Sequence, residues 1–171
     1  MNQIQEILFI IESESVIFGS KIQNRFSVIA MDRKFLQKPS VEELNKLGKN
    51  TISEVLGMSF TEIGDNYLVA KMPVDKRTHQ PYGLLHGGAS VVLAETLGSV
   101  AAMLMVDPAK FYCVGLDINA NHIRGIKEGW VYGKTTPVHI GRTTQVWHIE
   151  IMNEREQLIC VSRITMAVVK K

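Results

Sequence analysis

The 171-residue chain predicts an α+β fold in which a curved antiparallel sheet wraps around one long central helix. Three observations predict it. The run from about Gly87 to Met105 is long enough for a helix and apolar on nearly every side, with Glu95 its single charged residue. Such a helix has to be buried nearly all round. Strand patterns flank it, a hairpin before and four long candidates after, read here as an antiparallel meander. Finally, apolar residues make up 46% of the chain and charged residues 21%, so one buried core is within reach and wholesale disorder is excluded.

The elements follow in order. Ser40 before Val41-Glu42-Glu43-Leu44 reads as a helix start, since Ser40 can cap and Glu43 sits where a capping box needs it. That helix stops near Gly48, and Thr51 to Leu56 makes another short helical turn. Met58 to Ile63 and Tyr67 to Met72 are strands joined across Gly64-Asp65-Asn66. Pro73 through Gly83 has loop composition. After the helix come strands at Tyr112 to Asn121, Gly129 to Val138, Thr143 to Met152 and Gln157 to Val169. In the third of these, Trp147, Ile149 and Ile151 alternate with His148 and Glu150, a period of two.

Charge and cysteine usage narrow the function. The net charge is +2 and the Lys and Arg residues are scattered, so no nucleic-acid footprint is visible, although a mildly basic surface suits an anionic ligand. Cys113 and Cys160 each sit in an apolar run and read as buried thiols, with a reducing, cytoplasmic location expected. Ile7 to Ile11 is too short for a membrane helix, and its acidic flanks do not suit a signal peptide. Residues 1–35 have no clear period and read as an N-terminal extension to a domain at residues 36–171, or as the product of a start upstream of Met31.

The chemistry concentrates between Gln80 and Ser99. A loop containing Gly83 leads through His86 to Gly87-Gly88 at the helix start. Glycines there let another group approach the backbone, and the first N–H groups of a helix point outward with the positive end of its dipole. Such an end binds an anion or stabilises a developing oxyanion. Taken alone, it can also be purely structural. Glu95, mid-helix among apolar residues, reads in two ways. It is a carboxylate facing solvent through a gap or paired with an arginine, or it is held dry for general-base or nucleophilic work. Ser99, four residues on, shares its face. Gly87 and Glu95 are separated by roughly 12 Å of helix axis, so if both act on one carbonyl, they come from different subunits. His122 and His139 are each followed by an arginine, Arg124 and Arg142, which suits phosphate contacts or a plain sheet edge. His79 and His148 read as surface or sheet-face residues. No metal-ligand spacing, nucleophile elbow or dinucleotide fingerprint occurs.

The runs from Met72-Pro73-Val74-Asp75 through Gly83-Leu84-Leu85-His86-Gly87-Gly88 to Leu93-Ala94-Glu95, then Val114 to His122 and Gln145-Val146-Trp147, resemble the hotdog-fold acyl-CoA thioesterases. The similarity is to the bacterial group that includes 1,4-dihydroxy-2-naphthoyl-CoA and enterobactin-proofreading thioesterases, and it covers about residues 38–169. It implies hydrolysis of aromatic or naphthoyl acyl-CoAs, as in menaquinone biosynthesis, with the CoA thioester as substrate and no separate cofactor or metal. It implies homodimers paired into tetramers, with sites at the dimer interface and no nucleic-acid or membrane partner. By the same resemblance Glu95 is the catalytic carboxylate, and the Gly87 N–H polarises the thioester carbonyl. Gln80 and His86 orient substrate, Gly88 and Ser99 lie beside it, and His122, Arg124 and Arg142 contact the CoA nucleotide. The alternative is a non-catalytic hotdog domain that binds acyl-CoA in a regulatory role.

Overall fold

The computed structural model describes residues 33–171, so most of the extension expected at residues 1–35 lies outside the described residues. Helix α1 (Val41–Leu47) opens on the capping box: Ser40 Oγ accepts from the Glu43 N–H at 3.2 Å, and the Glu43 carboxylate accepts from the Ser40 N–H at 2.7 Å. A single helical turn, α2 (Ile52–Val55), is capped by Thr51. Strands β1 (Ser59–Ile63) and β2 (Leu68–Val74) form a hairpin closed by the Gly64 N–H on the Tyr67 carbonyl. Helix α3 (Gly87–Leu104) follows, then β3 (Phe111–His122), β4 (Gly129–Ile140), β5 (Thr144–Asn153) and β6 (Leu158–Lys170).

All six strands join one antiparallel sheet in the order β1-β2-β4-β5-β6-β3. Three features differ from the sequence reading. First, the four strands after the helix are not a simple meander. β2 already has β1 on one side and β4 on the other, so β3 finds its partner at the opposite edge, beside β6. Helix α3 makes that crossing. Its 18 residues span roughly 27 Å, more than the roughly 19 Å of sheet between β2 and β3. Second, Pro73 and Val74 belong to β2 rather than to the loop. The β1 register ends at Lys71, so the proline lies where β2 has a free edge and its missing donor costs no ladder bond there. Third, α3 is not buried all round. Leu93, Leu97, Ala101 and Leu104 are fully buried, while Val92, Glu95, Thr96, Ser99, Val100 and Met103 stay half-exposed.

Small residues set how closely helix and sheet approach. A Cβ at Gly98 would stand 2.3 Å from Ile164 Cγ2 on β6, and one at Gly133 on β4 would stand 2.6 Å from Leu97 Cδ1. The C-terminal turn of α3 is tied down by polar groups. Gln145, fully buried, donates to the Ala102 carbonyl at 3.4 Å and accepts from Trp147 Nε1 at 3.0 Å. Gln37 donates to the Met103 and Val106 carbonyls, and Phe35 stacks on Trp147 with ring centroids 6.3 Å apart.

A Gly98→Ala variant sets two effects against each other. Alanine is favoured over glycine in a helix interior by about 1 kcal/mol, but forcing a methyl into this contact costs about 1–3 kcal/mol. Net destabilisation is expected in denaturant unfolding, partly recovered by Ile164→Leu, which removes the β-branched methyl. A Gly98→Ala protein as stable as the parent would refute the close contact.

Candidate active site

The loop between β2 and α3 is built on Thr78, a buried hydroxyl with 2% exposure. Thr78 Oγ1 donates to the Pro73 carbonyl at 2.9 Å and accepts from the Asp75 N–H at 3.1 Å. Its own carbonyl receives the His86 N–H at 2.8 Å, which fixes the point where the helix begins. Arg77 pairs with Asp75 across the same turn and holds that carboxyl down to about 2. A lowered carboxyl stabilises above its ordinary value and loses that contribution as the pH falls toward 2. This link therefore persists through neutral and mildly acidic pH. The next turn closes with the Gln80 N–H on the Leu84 carbonyl at 2.8 Å, and Gly83 supplies the left-handed φ of 71°. The Gln80 side-chain oxygen accepts from the Tyr82 N–H at 2.6 Å.

His86 is the N-cap of α3. Its Nδ1 accepts from the Gly88 N–H at 2.8 Å, so the neutral ring carries its proton on Nε2. The Ala89 N–H donates to the His86 carbonyl, while the Gly87 N–H has no acceptor among the described residues. The helix thus presents one uncommitted donor at its positive end. The His122 ring packs against Gly87: a Cβ there would stand 2.7 Å from His122 Nε2, so a side chain at this position would displace the ring. Gln80, Gly87, Ser90, His122 and Arg124 line a common cavity of about 290 Å³.

Glu95 and Ser99 form a separate group farther along the helix. Ser99 Oγ donates to Glu95 Oε1 at 3.3 Å and lies 4.0 Å from Met166 Sδ. The carboxylate faces β3 at Gly115, where a Cβ would stand 2.8 Å from Oε1. Glu95 is half-exposed, a shallower position than a fully buried helix implied. Arg142 sits in the β4–β5 turn, level with Ala167 and Val168, whereas His122 is level with Cys160 at the other end of β6. Within one chain the structure therefore brings together Gln80, Gly87, His122 and Arg124, with His86 and Gly88 at the cap beside them. It leaves Glu95 with Ser99 in a second group and Arg142 apart from both.

Two residues escaped the sequence reading. Thr78 had a legible signal, a hydroxyl three residues after Asp75, which is the spacing of a side-chain-closed turn. Gly115 had a weaker one, a glycine inside a strand pattern, which marks a close approach. The other three histidines stand elsewhere: His79 Nε2 bonds the Lys127 carbonyl at 2.8 Å, His148 pairs with Glu150 at 3.5 Å, and His139 is exposed beside Gly141 in the β4–β5 turn. Both thiols are free, Cys160 buried and Cys113 half-buried, and desolvation raises both.

A curved sheet closed over one helix, with an uncommitted N–H at the helix start and a carboxylate mid-helix, defines the hotdog architecture and a hydrolase type of site. The comparisons give the family. The Thioesterase superfamily profile matches residues 82–160. The 1,4-dihydroxy-2-naphthoyl-CoA hydrolase of Escherichia coli is 51% identical over 132 residues, 77% of this chain and 96% of that protein. The proofreading thioesterase EntH of Cronobacter turicensis is 47% identical over 129 residues, 75% of this chain and 93% of that protein. Among solved structures, a glutamine-to-alanine mutant of a Pseudomonas aeruginosa thioesterase superposes with a TM-score of 0.79 and 51% identity, covering 80% of this chain and 99% of its own. A Haemophilus influenzae thioesterase gives 0.77 and 45%, covering 80% of this chain and 94% of its own. The chain belongs to the hotdog-fold thioesterase superfamily. It is a hydrolase of the ester and thioester class.

Because Thr78 fixes the entry to α3, Thr78→Val should leave a buried carbonyl and N–H unpaired. The expected loss is about 1–3 kcal/mol of stability. Hydrolytic activity should fall as well, since the Gly87 turn shifts. Urea unfolding and an ester-hydrolysis assay on the same sample check both, and an unchanged midpoint would contradict the assignment.

Proposed function

We propose that the protein hydrolyses acyl-CoA thioesters to the free acid and CoA, with aromatic and naphthoyl acyl groups as its preferred substrates. The observation that carries this reading is the uncommitted Gly87 N–H, set in a cavity with His122 and Arg124, on the helix that also holds Glu95. In the proposed reaction the Gly87 N–H and the helix dipole polarise the thioester carbonyl. Glu95 takes a proton from water as the water oxygen bonds to the carbonyl carbon. The C–S bond then breaks, and the proton passes to the departing CoA thiolate. In the nucleophilic variant the Glu95 carboxylate attacks the carbonyl carbon, the C–S bond breaks to release the CoA thiolate, and water opens the resulting anhydride to the free acid and the Glu95 carboxylate. Gln80 and His86 orient the acyl group, with Gly88 and Ser99 beside it. His122, Arg124 and Arg142 receive the phosphates of CoA, where guanidinium groups pair well with phosphate oxygens. The naphthoyl-CoA hydrolase relative supports the aromatic preference. A place in menaquinone biosynthesis, in the cytoplasm, goes with that substrate. The reading needs no cofactor beyond the CoA of the substrate, and no metal.

The working unit in this proposal is a homo-oligomer, two dimers forming a tetramer. Edge strand β3 presents Tyr112, Val114 and Leu116 at 45%, 42% and 61% exposure, an unprotected apolar edge of the kind that pairs with another strand. The half-exposed face of α3 would be covered in the same association. Gly87 of one subunit would then meet Glu95 of the next, and Arg142 could join the phosphate contacts.

Thiol release from a panel of benzoyl-, naphthoyl- and fatty acyl-CoAs, with wild type and Glu95→Ala side by side, tests the reaction. Turnover that ranks aromatic substrates first and collapses in the variant is expected. Acyl-CoA bound by well-folded wild type without release would favour a regulatory binding protein instead.

Composite sites have their own test. Gly87→Pro removes the N–H at a helix position that tolerates proline, and should cut turnover ~10²–10³-fold. Purified heterodimers of Gly87→Pro and Glu95→Ala subunits would contain one intact site of two, and so recover about half the wild-type rate in an isologous dimer. Heterodimers as inactive as either parent would show that both groups act within one chain.

A further inference from the structure

We propose that Gly115 is a positioning residue for the Glu95 carboxylate, reserving by its missing side chain the space in which that carboxylate is held; this rests on the reading of Glu95 as the reacting group. Gly115 has no conformational need to be glycine. The left-handed glycines among the described residues are Gly57, Gly83 and Gly129, and Gly115 is not one of them. What it lacks is room: a Cβ would stand 2.8 Å from Glu95 Oε1, with the carboxyl carbon at 3.7 Å and Oε2 at 3.9 Å. No backbone or rigid core atom contests that space, only the tip of one flexible side chain. A methyl there would move the carboxylate rather than the strand.

The strand is also shaped at this point. Gly115 pairs with Met166 and Asp117 with Thr165, so Leu116 is an extra residue, a β-bulge. Gly115 and His122 are seven residues apart and would face opposite sides of a regular strand. The bulge inverts the alternation between them. Cys113, upstream, donates to the Ala102 carbonyl of α3, and Gly115 faces Glu95, while His122, downstream, turns to the same helix and covers Gly87. One strand therefore presents a gap to the carboxylate and a ring to the free N–H, and only the inserted residue makes both possible. The same oxygen accepts from the Ser99 hydroxyl at 3.3 Å. Glu95 is held by a donor beside a vacancy of fixed depth.

The test is a double-mutant cycle on benzoyl-CoA hydrolysis, with wild type, Gly115→Ala, Glu95→Asp, the double variant and Glu95→Ala compared for kcat, KM and thermal melting. Gly115→Ala should lower kcat about 10²-fold, the scale of a 1 Å misplacement, with KM and melting near those of wild type. Because aspartate is one methylene shorter, Gly115→Ala should have little further effect in the Glu95→Asp background. Wild-type kcat in Gly115→Ala, with Glu95→Ala inactive, would overturn the role of Gly115 and leave Glu95 standing. Full turnover in Glu95→Ala would overturn the reading of Glu95 itself, and the positioning role with it. A loss of activity or of folded protein from Gly115→Ala that is equally large in the Glu95→Asp background would make Gly115 a backbone requirement and refute the proposal.

Discussion

The structure depends on one contact, the close seating of α3 on the concave face of the sheet. Gly98 lies against Ile164 and Gly133 against Leu97 with no room for another methyl, so the helix cannot roll or lift without opening the core. That seating decides where everything else goes. Leu93, Leu97, Ala101 and Leu104 point into the sheet, and with them fixed, Glu95 and Ser99 must emerge on the β3 side. The two ends are pinned independently, by Thr78 and His86 at the N-terminus and by Gln37 and Gln145 at the C-terminus. A helix held at three points offers side chains a fixed frame, which is what precise positioning of a reacting group requires.

β3 then carries a second burden. As the crossover strand it has α3 beneath it, β6 on one side and, among the described residues, no strand on the other. The bulge at Leu116 lets a strand so placed serve two positions on the helix whose separation does not match the two-residue repeat. Bulges recur beside active sites for this reason: they re-aim side chains without ending the strand. The disposition of His122 over Gly87 and of Gly115 against Glu95 follows from a single inserted residue.

Much of this was legible in the sequence. The six strands, the three helices and the capping box at Ser40 follow from period, turn residues and cap chemistry, which are local properties. So does the unpaired N–H at the start of α3, because the first turn of any helix leaves its N–H groups without partners in the helix. The errors are non-local. Nothing in the residues of β3 says that it pairs with β6 rather than with its neighbours; the reach of the helix and the occupied edges of β2 decide that. Pro73 reads as a loop residue until the end of the β1 register shows that its strand has a free edge. The bulge is invisible because Val114, Leu116 and Ile118 alternate with Gly115, Asp117 and Asn119 as they would in an uninterrupted strand.

The remaining discrepancy bears on assembly. A helix apolar on nearly every side implies burial on nearly every side, yet the sheet covers only one face of α3 and leaves Val92, Val100 and Met103 half-exposed. The same imbalance marks β3, where Tyr112, Val114 and Leu116 line an open edge. Both surfaces are apolar beyond what the described residues cover, and both border the carboxylate of Glu95. A second copy of the chain seated there would complete the burial that the helix composition calls for. It would also bring a Gly87 N–H toward a carboxylate that its own subunit holds roughly 12 Å farther along the helix axis. On this view the pattern that made α3 look like a core helix belongs to the assembly rather than to the chain. Glu95 and Ser99, hydrogen-bonded to each other, are polar residues that fall between the two burials.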